Sequence, residues 1–325
     1  MYGLALEGGG TRGAAHAGVL RALHEQRILP GIVSGTSAGA MVAGVYAWRG
    51  QLSDVQEAMA QCVRMGSRLL DVNLLGIARG VAELATLRNF RLDGVFKGDR
   101  LQQWMRRFTD GAHVRDAAFP LVMTAVDLIS GRMVYFSSQE PLRVVETPRA
   151  PGDACGPMGG APVWEMGARI DQAVRASTAI PVAFRPYSYL GYQLVDGGVL
   201  EIVPVQALLA IKRVKVLAVV LETPGHCKPP DDVLGIGWRS IEVMQARLLD
   251  DQASAAGMVL RVRLPEGSGV FAFEQIEEYE RLGYHAAMEA MPRIRQKFGL
   301  ASGLDLKKQG NGMHDRFARE ITNTP

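Results

Sequence analysis

The sequence predicts a three-layer α/β domain in which a central, mostly parallel sheet lies between helices. Three observations carry this expectation. Twice near the N-terminus a short apolar strand runs through a glycine-bearing turn into a helix. Strand and helix patterns resume repeatedly after that, and the helices carry small or apolar residues spaced to pack on a sheet.

Taken in order, Tyr2 to Leu6 reads as a buried strand, followed by a glycine-rich turn and a helix from about Gly13 to Gln26. Ala14, Ala17 and Gly18 in that helix permit close packing. Ile32 to Gly35 is the second strand, and Ser37 begins the helix AGAMVAGVYAW. Helical patterns follow at Leu52 to Met65 and Leu101 to Phe108. PLVMTAVDL and RMVYFSS form a β-pair around Ser130-Gly131, with YQLVDGG and VKVLAVVLE as later strands. After GMVLRVRLP comes a last helix from about Phe273 to Phe298, with Ile276, Tyr279, Gly283, Ala286 and Ala290 on its apolar stripe. That stripe is expected to pack on the sheet.

These elements are expected to form one domain over residues 1–300, carrying a Pro/Gly-rich inserted loop at about 145–163. The polar stretch 301–325 is expected to be a disordered tail. Leu69 to Leu87 is rich in aliphatic residues; core packing is the favoured reading, a lid or interfacial patch the alternative.

Composition narrows the function. A chain of 325 residues, 48% hydrophobic, can bury an enzyme-sized core. Its 36 Lys+Arg against 33 Asp+Glu leave +3, too even a balance to point to nucleic acid, though a weak preference for anionic surfaces is compatible with it. Cys62, Cys155 and Cys227 are odd in number and lack metal-ligand or redox spacing, which fits a reducing compartment. The start YGLALEGGG has none of the features of a secretory signal, and the apolar stretch Ala38 to Trp48 falls short of the roughly 20 residues that span a bilayer. The expectation is a cytoplasmic protein whose membrane contact, if any, is peripheral.

Three motifs carry chemistry. Gly35-Thr36-Ser37-Ala38-Gly39 has the form of a nucleophile elbow, with Gly35 and Gly39 leaving room around a serine at a helix N-terminus. Gly8-Gly9-Gly10-Thr11-Arg12-Gly13 is a strand-to-helix turn whose N–H groups can hold an anion, and is read as an oxyanion hole; Arg12 would brace the loop or meet a lipid phosphate. Asp196-Gly197-Gly198 places a carboxylate at a strand end, so Asp196 is the candidate general base. Each is weak alone. G-x-G-x-x-G is also a dinucleotide fingerprint, but the acidic residue expected after the second strand is replaced by GTSAG.

In this order, GGGTRG, GTSAG and DGG resemble the patatin-like phospholipase family. The likeness extends to AAHAGVLRALHE, PLVMTAVDLISGRMVYFSS, RASTAIPVAFRP and VPV, covering most of residues 2 to 221. The resemblance implies a Ser-Asp dyad without a catalytic histidine, and hydrolysis of acyl esters in phospholipids, lysophospholipids or related lipids. Carried onto this chain, Ser37 attacks the ester, Asp196 takes the proton, and Gly9 and Gly10 with their neighbours hold the oxyanion. The motifs imply no metal or organic cofactor, and leave oligomeric state open.

A Ser-acid-His triad would need His226, His285 or His314, none of which looks placed for it; His16 reads as a packing or hydrogen-bonding residue. Two further readings stay open: a lipid-binding or regulatory scaffold of the same fold, and an acyltransferase using the same acyl-enzyme.

Overall fold

The computed structural model describes residues 1–78, 94–142, 159–224, 229 and 233–299. The expected tail, most of the 145–163 loop and the second half of the Leu69 to Leu87 segment lie outside these residues.

β1 (Gly3–Leu6) and β2 (Ile32–Gly35) are fully buried, as continuous apolar runs require when helices cover both faces. Each runs into a helix, α1 (Ala14–Glu25) and α2 (Ala38–Arg49). Then come α3 (Leu52–Met65), α4 (Asp99–Phe108), β3 (Leu121–Asp127), β4 (Met133–Ser137), β5 (Val163–Glu165) and α5 (Ile170–Ser177). The second half holds β6 (Tyr187–Tyr189), β7 (Tyr192–Asp196), α6 (Val205–Ile211), β8 (Val216–Glu222), α7 (Val233–Ser254), β9 (Met258–Arg263) and α8 (Ile276–Phe298).

Among the described residues, one sheet runs in the order β5-β4-β3-β2-β1-β8-β9, with β7 also on β3 and β6 on β7. Pairing is parallel except where β3 meets β4 and β7 and where β6 meets β7. The period-2 alternation of the strands divides the core in two. Leu4, Leu6, Leu217 and Val219 face the layer of α1, α2, α5 and α8, whereas Ala5, Val216, Ala218 and Val220 face α6 and the end of α7. The three-layer, mostly parallel architecture is therefore as the sequence predicts.

The last helix differs in detail. α8 packs on α1 as well as on β9, and its buried position after Gly283 is Ala287, with Ala286 only partly covered. A Cβ at Gly18 would strike the Glu280 carbonyl oxygen and one at Gly283 the Ala15 carbonyl oxygen, so the helices cross backbone to backbone. Gly283→Ala is accordingly expected to push them apart and to lower stability by about 2 kcal/mol, read as a smaller urea midpoint at unchanged m-value.

Sequence patterning also misses α7. Its inner face carries Trp238, Glu242, Gln245 and Leu249 toward a cavity, while Ile236, Val243 and Met244 are exposed, so apolar residues mark no single buried stripe. In the Leu69 to Leu87 segment, core packing holds for Leu69 but not for Leu74 and Leu75, which are exposed.

Candidate active site

The topology brings the second and third motifs together through β3. Gly35 of β2 pairs with Met123 in the first half of β3, and Asp196 of β7 pairs with Ala125 in its second half. β2 and β7 approach along the same edge of β3 from opposite directions, and their ends meet at Thr124.

Thr124 and Thr36 bond through their hydroxyls at 2.8 Å, and Thr36 donates to the Glu201 carbonyl at 2.8 Å, tying the elbow to β3 and to the segment after DGG. Ser37 follows with φ 56° and ψ −121°, a conformation that costs energy for a non-glycine residue. Its N–H donates to the Ser177 hydroxyl at 2.9 Å, at the end of α5. Gly35 and Gly39 lie so close that a Cβ on the first would strike the second, and a Cβ on Gly39 would strike the Leu6 carbonyl. The steric reason for glycine at both elbow positions is thus met.

Ser37 and Asp196 are each 4% exposed. The Gly198 N–H donates to the Asp196 carboxylate at 2.8 Å. Burial raises Asp196 to about 6, with the Ser37 hydroxyl and the Gly198 N–H acting to lower it. Gly197 packs so tightly on Thr124 that a Cβ would strike its hydroxyl.

The glycine turn lies beside them, but its N–H groups are not equivalent. Gly8 donates to the Ile202 carbonyl at 3.0 Å and Thr11 to the Val270 carbonyl at 2.9 Å, so neither N–H is free to hold an oxyanion. This corrects the expectation that all six motif residues share that task. The N–H groups of Gly9 and Gly10 donate to nothing among the described residues, and both glycines line the cavity with Ser37. Arg12 spans the turn, its Nε donating to the Gly9 carbonyl at 3.0 Å. Gly13 is buried against Ala38. His16 Nε2 donates to the Glu7 carbonyl at 2.8 Å and burial lowers its pKa to about 4, so this imidazole is a neutral brace. His285 is exposed on α8; His226 and His314 lie outside the described residues.

Two cavities open from Ser37. One of about 330 Å³ lies under α7 and is lined by Glu7, Arg12, Asp196, Arg239 and Arg261. The other, about 100 Å³, is apolar, lined by Met41, Met59, Leu70, Leu101, Phe184 and Phe273. An ester at Ser37 can therefore place a polar part on one side and a hydrocarbon part on the other.

A family model described as patatin-like phospholipase matches residues 4–209. This chain belongs to the patatin-like phospholipase family. Over 261 residues the patatin-like chain is 26% identical to an uncharacterized NTE family protein of Mycobacterium tuberculosis, covering 79% of this chain and 60% of that protein. It is 25% identical over 331 residues to lysophospholipase NTE1 of Mycosarcoma maydis, covering 93% of this chain and 15% of that protein. The chain thus spans about 60% or less of the length of these curated relatives. Among solved structures, VipD from Legionella pneumophila aligns with a TM-score of 0.47 at 16% identity, over 90% of this chain and 67% of that one. Among the described residues no helix is long and apolar enough to cross a membrane.

Several supports of the patatin-like site escape the motifs. Ser177 and Ile180 sit within RASTAIP, where no chemical residue pattern marks them. Gln245 of α7 donates to the Gly198 carbonyl at 3.2 Å, and Gln252 bonds Ile202 N–H, Val203 N–H and the Leu200 carbonyl at 2.8, 3.2 and 2.7 Å. These two glutamines, one pair of turns apart, tie α7 to the DGG segment. Glu7 carried a legible signal: a carboxylate at the end of a buried strand, directly before the glycine turn.

Proposed function

We propose that this chain is a serine acyl hydrolase of lipid esters that works through a Ser37–Asp196 dyad and an acyl-enzyme. The observation that carries the reading is a strained, buried Ser37 on the same cavity as a buried Asp196, its hydroxyl acting on that carboxyl, beside two uncommitted glycine N–H groups. The relative named lysophospholipase supports an ester lipid as substrate class.

In this mechanism Ser37 Oγ attacks the acyl carbonyl while its proton passes to Asp196. Charge developing on the carbonyl oxygen is held by the Gly9 and Gly10 N–H groups, preorganised by Arg12 and by the bond from Gly8 to Ile202. The proton on Asp196 then goes to the leaving alcohol. Water, deprotonated by Asp196, attacks the acyl-enzyme, and Asp196 returns that proton to Ser37 Oγ as the ester bond breaks and the fatty acid is freed. A carboxylate raised to about 6 is a stronger base than an exposed one, yet is largely ionised at neutral pH. The apolar cavity takes the acyl chain and the larger cavity takes the rest of the ester.

The reading is tested by exposing the protein to a fluorophosphonate and mapping the adduct. A single adduct on Ser37, together with release of fatty acid from lysophospholipid micelles, is the expected result; a folded protein that neither labels nor releases fatty acid rejects it. The pH profile offers a further check. Because Asp196 must be ionised to act as base, kcat/KM should rise about tenfold per pH unit up to about 6 and level off above it. The same limb should persist when His226, His285 and His314 are replaced together by alanine.

A further inference from the structure

The larger cavity carries charged side chains among its apolar ones, and its charges are not all equally well paired. Among the described residues, seven charged ones line it: Glu7, Arg12, Asp196, Glu222, Arg239, Glu242 and Arg261. Asp196 belongs to the dyad. Glu242 pairs with Arg239 at 3.6 Å within the cavity lining, whereas Glu222 pairs at 3.3 Å with Arg263, whose side chain is 90% exposed, so that pair is solvent-screened. Arg12 forms no ion pair among the described residues; its Nε is bound to the Gly9 carbonyl. Arg261 pairs at 3.1 Å with Asp250, whose side chain is 76% exposed and therefore a weak, solvent-screened partner.

Glu7 lines the same cavity as both arginines, and the charges of Arg12 and Arg261 both act on its carboxyl. The Glu7 carboxyl does not neutralise them. It is buried at the end of β1, accepts the Leu221 N–H, and burial pushes it up to about 8, so at neutral pH it is mainly the uncharged acid. Two guanidinium groups on one cavity with Ser37, one without an ion-pair partner among the described residues and one with only a screened partner, offer charged donors to an anion.

We infer that Arg12 and Arg261 form a subsite for a compact phosphoryl-type anion on the head-group side of the substrate, so that the preferred substrates are acyl esters with an exposed anionic head group. The inference rests on the acyl-hydrolase reading for its substrate, but the anion site stands on its own geometry. Arg261 lies on β9, beyond residues 4–209, so half of this subsite comes from the part of the chain outside the matched family region. A phosphomonoester fits the pair better than a choline-capped phosphate, whose cation would sit among the arginines.

The test uses three micellar substrates with one acyl chain in common: a monoacylglycerol, a monoacyl glycerophosphate and its choline-capped counterpart. Wild type should favour the glycerophosphate ester. In Arg261→Gln the anionic-to-neutral ratio of kcat/KM should fall about tenfold, the size of a lost charged hydrogen bond. Asp250→Asn removes the same ion pair but leaves Arg261 in place, so it should keep or increase the wild-type ratio. Equal loss in both variants would mean that the ion pair merely holds α7, and would overturn the inference, as would a wild type indifferent to head-group charge.

Inorganic phosphate, titrated calorimetrically into Ser37→Ala protein with and without Arg261→Gln, separates the two readings. Binding that needs Arg261, with hydrolysis of no ester, keeps the anion site and rejects the hydrolase. Hydrolysis without phosphate binding or charge preference does the reverse. Phosphate binding with no head-group preference marks a site for the free anion and overturns the head-group assignment.

Discussion

Ser37→Ala is expected to lose fluorophosphonate labelling entirely and to cut acyl-ester hydrolysis by roughly four to six orders of magnitude. The size follows from covalent catalysis: without the hydroxyl there is no acyl-enzyme, and the glycine turn can only polarise an ester for attack by water. Folding should be unaffected. The Ser37 backbone is held by its N–H to Ser177 and by the carbonyl that accepts the Met41 N–H, neither of which involves the hydroxyl. The measurement is turnover beside a thermal melt of the same sample. A variant that melts like wild type and still hydrolyses lipid at a tenth of its rate would remove Ser37 from the mechanism.

Asp196→Asn is expected to cost about three to four orders of magnitude in kcat/KM, since the amide cannot take the serine proton. Unlike most losses of function, it should make the protein more stable at neutral pH. Burial holds the folded carboxyl at about 6, above its ordinary value of 3.8, so between those values the folded state holds more protons than the unfolded. Stability from this group is therefore lost as pH rises from 3.8 through 6, and the cost of the buried charge is fully present above 6. That cost is on the order of 2–3 kcal/mol, and the amide, whose oxygen still accepts from Gly198, removes it. Melts at pH 7.5 should show the variant above wild type, with the gap shrinking toward pH 4. A wild type that is the more stable at pH 7.5 would show that Asp196 is not held as a costly buried anion. The stabilised but inactive variant is the expected signature of a strained functional group.

Much of this site was legible in one dimension because its demands are local. A serine on a strained strand-to-helix turn needs space on both sides, and that need is written as Gly35 and Gly39. The glycine turn, the strands around Ser130-Gly131 and the carboxylate before two glycines are readable for the same reason: adjacent residues impose the constraint on one another. The helix stripe of α8 was legible to within a residue, since Ala287 rather than Ala286 is buried only because of how α1 lies across it.

α7 was not legible, because its inner residues face a cavity and hydrogen-bond partners rather than a core, and that leaves no simple hydrophobic period. Nor could composition distinguish the N–H groups of Gly9 and Gly10 from those of Gly8 and Thr11, whose acceptors, Ile202 and Val270, are almost two hundred residues or more away in the chain. By itself the sequence determined which residue types stand ready for chemistry and the turns that present them, because backbone sterics act between neighbours. Only the tertiary structure decided that β2 and β7 share one edge of β3, that Asp196 and Glu7 are desolvated enough to change their proton affinity, and that Arg12 and Arg261 line one cavity with Ser37. Those depend on burial and long-range pairing, which exist only once the chain has closed around them.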